Sequence, residues 1–107
     1  MQPFDIFISY ISWGSGGKKR PVLVYALNKE FVRIFPITTQ YKEKSDVIKA
    51  KYFKINDWEK AGLHELSYID TGTRLTQSLS LFNSVNPIGN LTEGDKQRLI
   101  EFLAGSV

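Results

Sequence analysis

The sequence predicts a mainly β protein, a small, strongly bent and barrel-like sheet of five or six strands with one C-terminal helix. Short segments rich in Val, Ile, Phe and Tyr recur between polar turns, as they do in sheets of short strands. A stripe of apolar residues at helical spacing lies near the C-terminus. The chain has 107 residues, 42% of them hydrophobic, which predicts one domain over 1–107.

Three strands are predicted in the first part of the chain. Residues 4–10 alternate with a period of two, so that the even-numbered apolar side chains share one face. Glycines predict a loop over 13–17, and residues 21–26 are apolar on both faces, as in a central strand. A polar turn over 27–29 leads to a third strand over 30–37.

Strands and helices are both predicted in the second part. Residues 47–55 are predicted as a half-exposed edge strand with its lysines outside. An asparagine cap and a glycine stop predict a short helix over 56–62. A strand broken by a glycine is predicted over 68–75, and a last short strand over 85–88.

The C-terminal helix is predicted from its start signal. Thr92 with Asp95 three residues later resembles a capping box, with Asp in place of the usual Glu or Gln. The apolar stripe that follows consists of Leu99, Ile100 and Leu103. Gly105 is the predicted stop, and the stripe predicts a helix that lies on the sheet.

Basic residues are concentrated in the first part of the chain. Residues 1–60 hold 11 Lys+Arg and 6 Asp+Glu, a net charge of +5, whereas residues 61–107 hold 3 and 5, a net charge of −2. A chain polarised in this way can present a basic face to nucleic acid. Charge alone does not distinguish this from chance polarity in a small protein.

Several kinds of site are disfavoured by the composition. There are no cysteines, and His64 is the only histidine, so thiolate metal sites and two-histidine mechanisms are excluded. The carboxylates are scattered among lysines, and Asp70 alone makes no acid–base pair. We therefore expect neither a metal nor a cofactor. No apolar run approaches the roughly 20 residues of a membrane span, and no export signal is visible, so a cytoplasmic protein is expected.

The segment 14–24, GSGGKKRPVLV, joins a glycine-rich loop to three cations and an apolar strand. Glycines allow close approach to a ligand, and the cations favour an anion such as phosphate. Surface hairpins also carry lysine and arginine often, so this segment alone is a weak signal.

Arg20 and Thr38 are predicted to lie at the same edge of the sheet. Residues 21–26 and 30–37 are near-equal arms around a turn, which brings the start of one beside the end of the other. The guanidinium can bind two phosphate oxygens, and the hydroxyl can donate to another, an arrangement that suits a phosphodiester. The alternative is that the two residues form no site. In that case Arg20 is a solvated hairpin residue, and the Thr38 hydroxyl bonds only to the backbone.

Two of these segments resemble motifs of a known family. GGKKRPVLV is similar to the (G)G-x-R-P-V-L-V signature of the MazF/PemK toxins of type II toxin–antitoxin systems, and FPITTQ over 35–40 to their P-[IL]-T-[ST]-Q. Asp5-Ile6 resembles their opening G-D-I, with Phe4 in place of Gly. I-x-D-W-x-x-A-G-L over 55–63, SYI over 67–69 and I-G-x-L over 88–91 resemble the PemK-like branch.

The resemblance implies an SH3-like barrel of five to seven strands with short helices and a C-terminal α-helix. It also implies a homodimer, a cognate antitoxin that blocks the RNA groove, and a metal-independent endoribonuclease acting on single-stranded mRNA. The family's catalytic arginine and threonine correspond to Arg20 and Thr38. The products would be a 2′,3′-cyclic phosphate and a 5′-hydroxyl. The residues expected to bind the RNA are Ser15, Gly17, Lys18, Lys19, Thr39 and Gln40.

The loop departs from the family pattern. Many members read G-S-E-Q-G-G-x-R-P, whereas here Gly14-Ser15 runs directly into Gly16-Gly17 and an extra lysine follows. The loop is therefore shorter and more basic, and it lacks a carboxylate that could move protons. Two other functions remain open: a non-catalytic barrel that binds a protein, as gyrase poisons of this fold do, or an RNA-binding module that stacks bases on Trp13 or Tyr41.

Overall fold

Strands are the predominant regular structure in residues 1–105, the part of the chain that the computed structural model describes. In chain order the elements are β1 (Asp5–Trp13), β2 (Gly16–Leu27), β3 (Phe31–Thr38), α1 (Asp46–Lys49), β4 (Tyr52–Lys54), β5 (Tyr68–Asp70), β6 (Leu75–Ser78), a 3-10 turn (Leu79–Phe82), β7 (Gly89–Asn90) and α2 (Glu93–Ala104).

The described strands form one curled antiparallel sheet in the order β4-β5-β3-β2-β1-β7, with β6 also paired to β3. The curl centres on β3, which pairs with β6 through its first half and with β5 through Ile37 and Thr38. The predicted mainly β class with a C-terminal helix is therefore confirmed. No helix of the described residues is long and apolar enough to cross a membrane.

Apolar side chains cover both faces of the sheet. Val22, Leu23 and Val24 in β2 are all fully buried, as predicted for a central strand. On one face Leu23 belongs to a core that includes Leu99 of α2. On the other face Val22 and Val24 belong to a second, smaller core.

The β2–β3 hairpin forms at the predicted turn. The side-chain oxygen of Asn28 accepts hydrogen bonds from the backbone N–H groups of Glu30 and Phe31, both at 2.8 Å. Val22 lies opposite Pro36, and continuing this register places Arg20 opposite Thr38.

The glycine segment is not the five-residue loop that was predicted over 13–17. Pairing of β1 with β2 continues to Trp13 opposite Gly16, so only Gly14 and Ser15 connect the strands. Gly14 has a φ of +43°, which suits glycine at the first position of a tight hairpin turn.

The predicted edge strand over 47–55 is wrong for most of its length. Ser45 caps the single helical turn of α1 by accepting from the N–H of Ile48, and only β4 is extended. Here the local capping signal overrides the alternating pattern. The even-residue face of β1 is also only partly buried, since Ile8 is 39% and Tyr10 57% exposed.

The helix predicted over 56–62 is a series of turns. The N–H groups of Asn56 and Asp57 donate to the carboxylate of Asp95 in α2, so Asn56 caps no helix. Gly62 with a φ of +90° does end the segment, and the N–H of Leu63 reaches the carbonyl of Trp58 as in a helix stop.

The strand predicted over 68–75 is two strands, β5 and β6. The Asp70 carboxylate accepts from the N–H of Gly72 and the hydroxyl of Thr73, which turns the chain between them. The last strand is β7, later than the predicted 85–88.

The N-terminus of α2 forms as predicted, with the Thr92 hydroxyl accepting from the N–H of Asp95 at 3.3 Å. Leu99 is fully buried, but Ile100 is 49% exposed and lies outside the packed stripe. Phe4 is the one described non-glycine residue with a positive φ, +71°, at the position where the resembled motif has glycine.

Candidate functional site

Arg20 and Thr38 lie together at the end of the β2–β3 hairpin. Arg20 faces Ser9 of β1 in the strand register, and Thr38 faces Tyr68 of β5. The two residues line the same pair of adjoining cavities. The hairpin positions them as neighbours because its turn is short and its two arms are paired over most of their length.

Four side chains lie between the two cavities and line both: Lys18, Arg20, Thr38 and Gln40. The first cavity, of about 200 Å³, is completed by Lys19, Pro21, Ile37, Thr39 and Ser67. The second, of about 280 Å³, is completed by Trp13, Pro36, Lys44, Tyr52 and Asp70. The shared ridge is therefore polar and cationic.

The guanidinium of Arg20 has no acidic partner in the described chain. Its Nε atom is buried and has no hydrogen-bond partner among residues 1–105. The ion pairs found there are Lys96–Glu93 and Arg98–Asp95, and neither involves Arg20. A half-buried arginine left in this state is a ready site for an anion.

The Thr38 hydroxyl is hydrogen-bonded to the backbone two residues further along the chain. Its oxygen accepts from the N–H of Gln40 at 3.1 Å. Because a hydroxyl carries one hydrogen, that hydrogen remains able to donate toward the cavities. Bonding of Thr38 to the backbone, the simpler expectation from the sequence, is thus compatible with donation to a ligand.

Tyr52 and Asp70 enter the second cavity from β4 and β5, where they are paired residues. Side chains of paired residues project from the same face of a sheet. In the sequence Asp70 stands as a lone carboxylate, and no motif marks Tyr52 as a site residue. Both strands are three residues long, so no extended alternation marks these positions.

The pKa of the Tyr52 hydroxyl depends on its burial and on the charges of Asp70 and Arg20. Burial raises the pKa of Tyr52 above 10.0, and the nearby Asp70 carboxylate raises it further, whereas the cationic Arg20 acts in the opposite direction. Tyr52 is therefore neutral, and able to donate a hydrogen bond, at neutral pH.

We expect this raised pKa to appear in the pH dependence of stability. The folded state keeps a proton that the unfolded chain loses near pH 10, so Tyr52 should lower stability as pH rises above that value. Urea unfolding at about pH 9 and about pH 11, on either side of the usual tyrosine pKa, should show a smaller loss in Tyr52→Phe than in wild type. Equal losses would contradict the assignment.

Six residues were predicted to bind RNA, and four of them line the first cavity: Lys18, Lys19, Thr39 and Gln40. Ser15 lies in the exposed hairpin turn and lines neither cavity. Gly17 also lies outside both. A Cβ there would lie 2.8 Å from the backbone oxygen of Ile11 and would collide with the ring of Tyr10, so Gly17 has a packing role.

The two aromatic residues named for base stacking differ in availability. The indole of Trp13 is 53% exposed and packs beside Gly16, where a Cβ would lie 3.3 Å from its Nε1 atom. The ring of Tyr41 is already stacked on Tyr68, with centroids 4.3 Å apart, and the Lys49 ammonium lies 5.1 Å from its centre. Trp13 is therefore more available than Tyr41 for stacking on a base.

Metal-binding groups do not converge within the described residues, where no three His, Asp or Glu side chains cluster. His64 is exposed and lines a third, mainly apolar cavity with Ile8 and Ile88, outside the ridge of Arg20 and Thr38. The chemistry available to the site is anion binding by cations and donation by hydroxyl groups.

Protein-family models give no match to this chain, and a search of curated proteins gives none either. The resemblance to the MazF/PemK toxins therefore depends on the sequence motifs alone.

Proposed function

We propose that this protein is a metal-independent endoribonuclease that cuts single-stranded RNA, acting as the toxin of a type II toxin–antitoxin pair. The observation that carries the proposal is the meeting of an unpaired, half-buried Arg20 with the donating hydroxyl of Thr38 at a ridge between two cavities. The motif resemblance supplies the biological setting.

The reaction needs no nucleophile from the protein. The 2′-hydroxyl oxygen of one ribose attacks the adjacent phosphorus as the bond from phosphorus to the 5′-oxygen breaks. The 2′-hydroxyl proton is lost to a base, and the departing 5′-oxygen gains a proton. The products are a 2′,3′-cyclic phosphate and a 5′-hydroxyl.

Arg20 would bind the non-bridging phosphate oxygens and stabilise the negative charge that grows on them in the transition state. Thr38 would donate to one of the same oxygens or to the leaving oxygen. A guanidinium is always protonated and therefore a poor base, so Arg20 is assigned to charge stabilisation.

The shape of the site supports a polymeric substrate. A phosphate on the shared ridge leaves one cavity for the nucleoside on each side. Lys19 in the first cavity and Lys44 in the second are placed to meet phosphates further along the strand. Such backbone contacts hold RNA without specifying its sequence.

We also propose the fold and partners that the resemblance implies: an SH3-like barrel, a homodimer and an antitoxin that covers the RNA groove. Exposed apolar side chains support a contact between copies. Ile8 and Ile88 line a mainly apolar cavity of about 350 Å³ that shares Pro21, Thr39 and Ser67 with the first cavity.

The direct test is cleavage of single-stranded RNA by the purified full chain in excess EDTA, with the new ends identified chemically. We expect cutting that survives chelation, cyclic phosphate and 5′-hydroxyl ends, and a loss of roughly 10- to 100-fold in Thr38→Val, which removes one donor but keeps the shape. Thr76→Val, at an exposed position of β6, is the matched control.

Binding of RNA without cutting would favour the RNA-binding module instead. Ends with a 3′-hydroxyl, or cutting that EDTA abolishes, would rule out the proposed chemistry.

A further inference from the structure

We propose that the second cavity is a nucleobase subsite that selects a base with an exocyclic amino group over uracil. This inference rests on the proposed function, because it places the base beside the phosphate that Arg20 binds. The residues assigned to the subsite are Trp13, Tyr52 and Asp70.

The carboxylate of Asp70 is the first reason. Three cations suited to phosphate, Lys18, Arg20 and Lys44, also line the second cavity, and a carboxylate would repel a phosphate there. Neither of the ion pairs in the described chain involves Asp70, so no cation is in direct contact with its carboxylate. A ligand group that meets Asp70 must therefore donate hydrogen bonds.

Asp70 is also fixed in place. Its Oδ1 accepts from the N–H of Gly72 at 3.0 Å and its Oδ2 from the Thr73 hydroxyl at 2.7 Å. Each carboxylate oxygen has about two acceptor positions, so each keeps one for a ligand. An acceptor held in this way can distinguish a donor from another acceptor.

Two aromatic side chains provide flat surfaces in the same cavity. Trp13 presents a half-exposed indole from the β1–β2 hairpin, and Tyr52 enters from β4. Bases stack on such rings whatever their sequence. The neutral Tyr52 hydroxyl, next to Asp70 in the strand register, can donate to a ring nitrogen.

The Tyr52 donor and the Asp70 acceptor together determine which edge of a base the cavity can bind. Cytosine offers an amino group to Asp70 and an acceptor nitrogen to Tyr52, and adenine and guanine also carry amino groups. Uracil has a carbonyl oxygen where cytosine has its amino group, and that oxygen would face the carboxylate. A cavity of about 280 Å³ is close to the roughly 300 Å³ at which small-ligand pockets begin.

The test compares the binding of short single-stranded oligomers of 2′-deoxycytidine and of 2′-deoxyuridine, which cannot be cut because they lack the 2′-hydroxyl. We expect wild type to bind the cytosine oligomer about 10-fold more tightly by fluorescence anisotropy. Asp70→Asn should reduce that preference to about twofold, because a rotatable amide can donate or accept. Trp13→Ala should weaken both oligomers by roughly 10-fold.

Asp46→Asn, on exposed α1, is the control for the loss of a carboxylate and should keep the preference. Equal binding of the two oligomers by wild type, an unchanged preference in Asp70→Asn, or no binding at all would overturn the subsite. A preference for cytosine in a protein that does not cut RNA would support the subsite while refuting the nuclease. Cutting of RNA by a protein that binds the two oligomers equally would support the nuclease and refute the subsite.

Discussion

Replacing Arg20 with alanine should lower the rate of RNA cleavage by roughly 10²- to 10³-fold, the usual loss when one transition-state charge donor is removed. Arg20→Lys should recover only part of that rate, because an ammonium cannot form the two parallel bonds of a guanidinium. Single-turnover cleavage at saturating enzyme would measure both effects on the chemical step.

Stability separates this loss from unfolding. The Nε atom of Arg20 is buried without a partner, so Arg20→Ala should leave the free energy of unfolding unchanged or raise it. Arg33→Ala, on the exposed side of β3 and outside both cavities, is the matched control and should cut RNA at the wild-type rate. A normal rate in Arg20→Ala would refute the role assigned to Arg20.

The largest effect on stability is expected at Asp95. Its side chain is 1% exposed, accepts from the N–H groups of Asn56 and Asp57 at 3.3 and 2.8 Å, and lies 2.6 Å from the Arg98 guanidinium. Asp95→Ala leaves two donors without an acceptor and one cation unpaired. We expect a loss of about 3 kcal/mol in the free energy of unfolding, measured in urea, since each buried donor left unsatisfied costs roughly 1–3 kcal/mol.

Glu93→Ala, in the same first turn of α2, provides the comparison. The Glu93 side chain is 91% exposed in its pair with Lys96, and exposed pairs of this kind contribute at most about 1 kcal/mol. If the two variants were equally stable, the carboxylate of Asp95 would not be what joins α2 to the 56–62 turns.

Features that depend on residues close in sequence could be predicted. The juxtaposition of Arg20 and Thr38 follows from one hairpin whose turn is marked by Asn28. The start of α2 is similarly marked by Thr92, which caps the helix three residues from Asp95. In each case a few neighbouring residues carry the whole signal.

The remainder of the site could not be predicted because distant pairing creates it. Tyr52 reaches the second cavity only because β4 pairs with β5, and Asp70 only because β5 pairs with β3 at Ile37. Three-residue strands are too short to show a period. The helix predicted over 56–62 is wrong for a similar reason, since the N–H of Asn56 donates to a carboxylate 39 positions away.

The paired hairpin of β1 and β2 also affects the thermodynamics of binding. Lys18, Lys19 and Arg20 lie within an ordered strand, because pairing continues past them to Trp13 and Gly16. Ordering a flexible backbone costs about 1–2 kcal/mol per residue, and a disordered loop would lose that amount when it closed on a ligand. Here folding has already ordered the backbone of these residues, so binding of an anion has to order only their side chains.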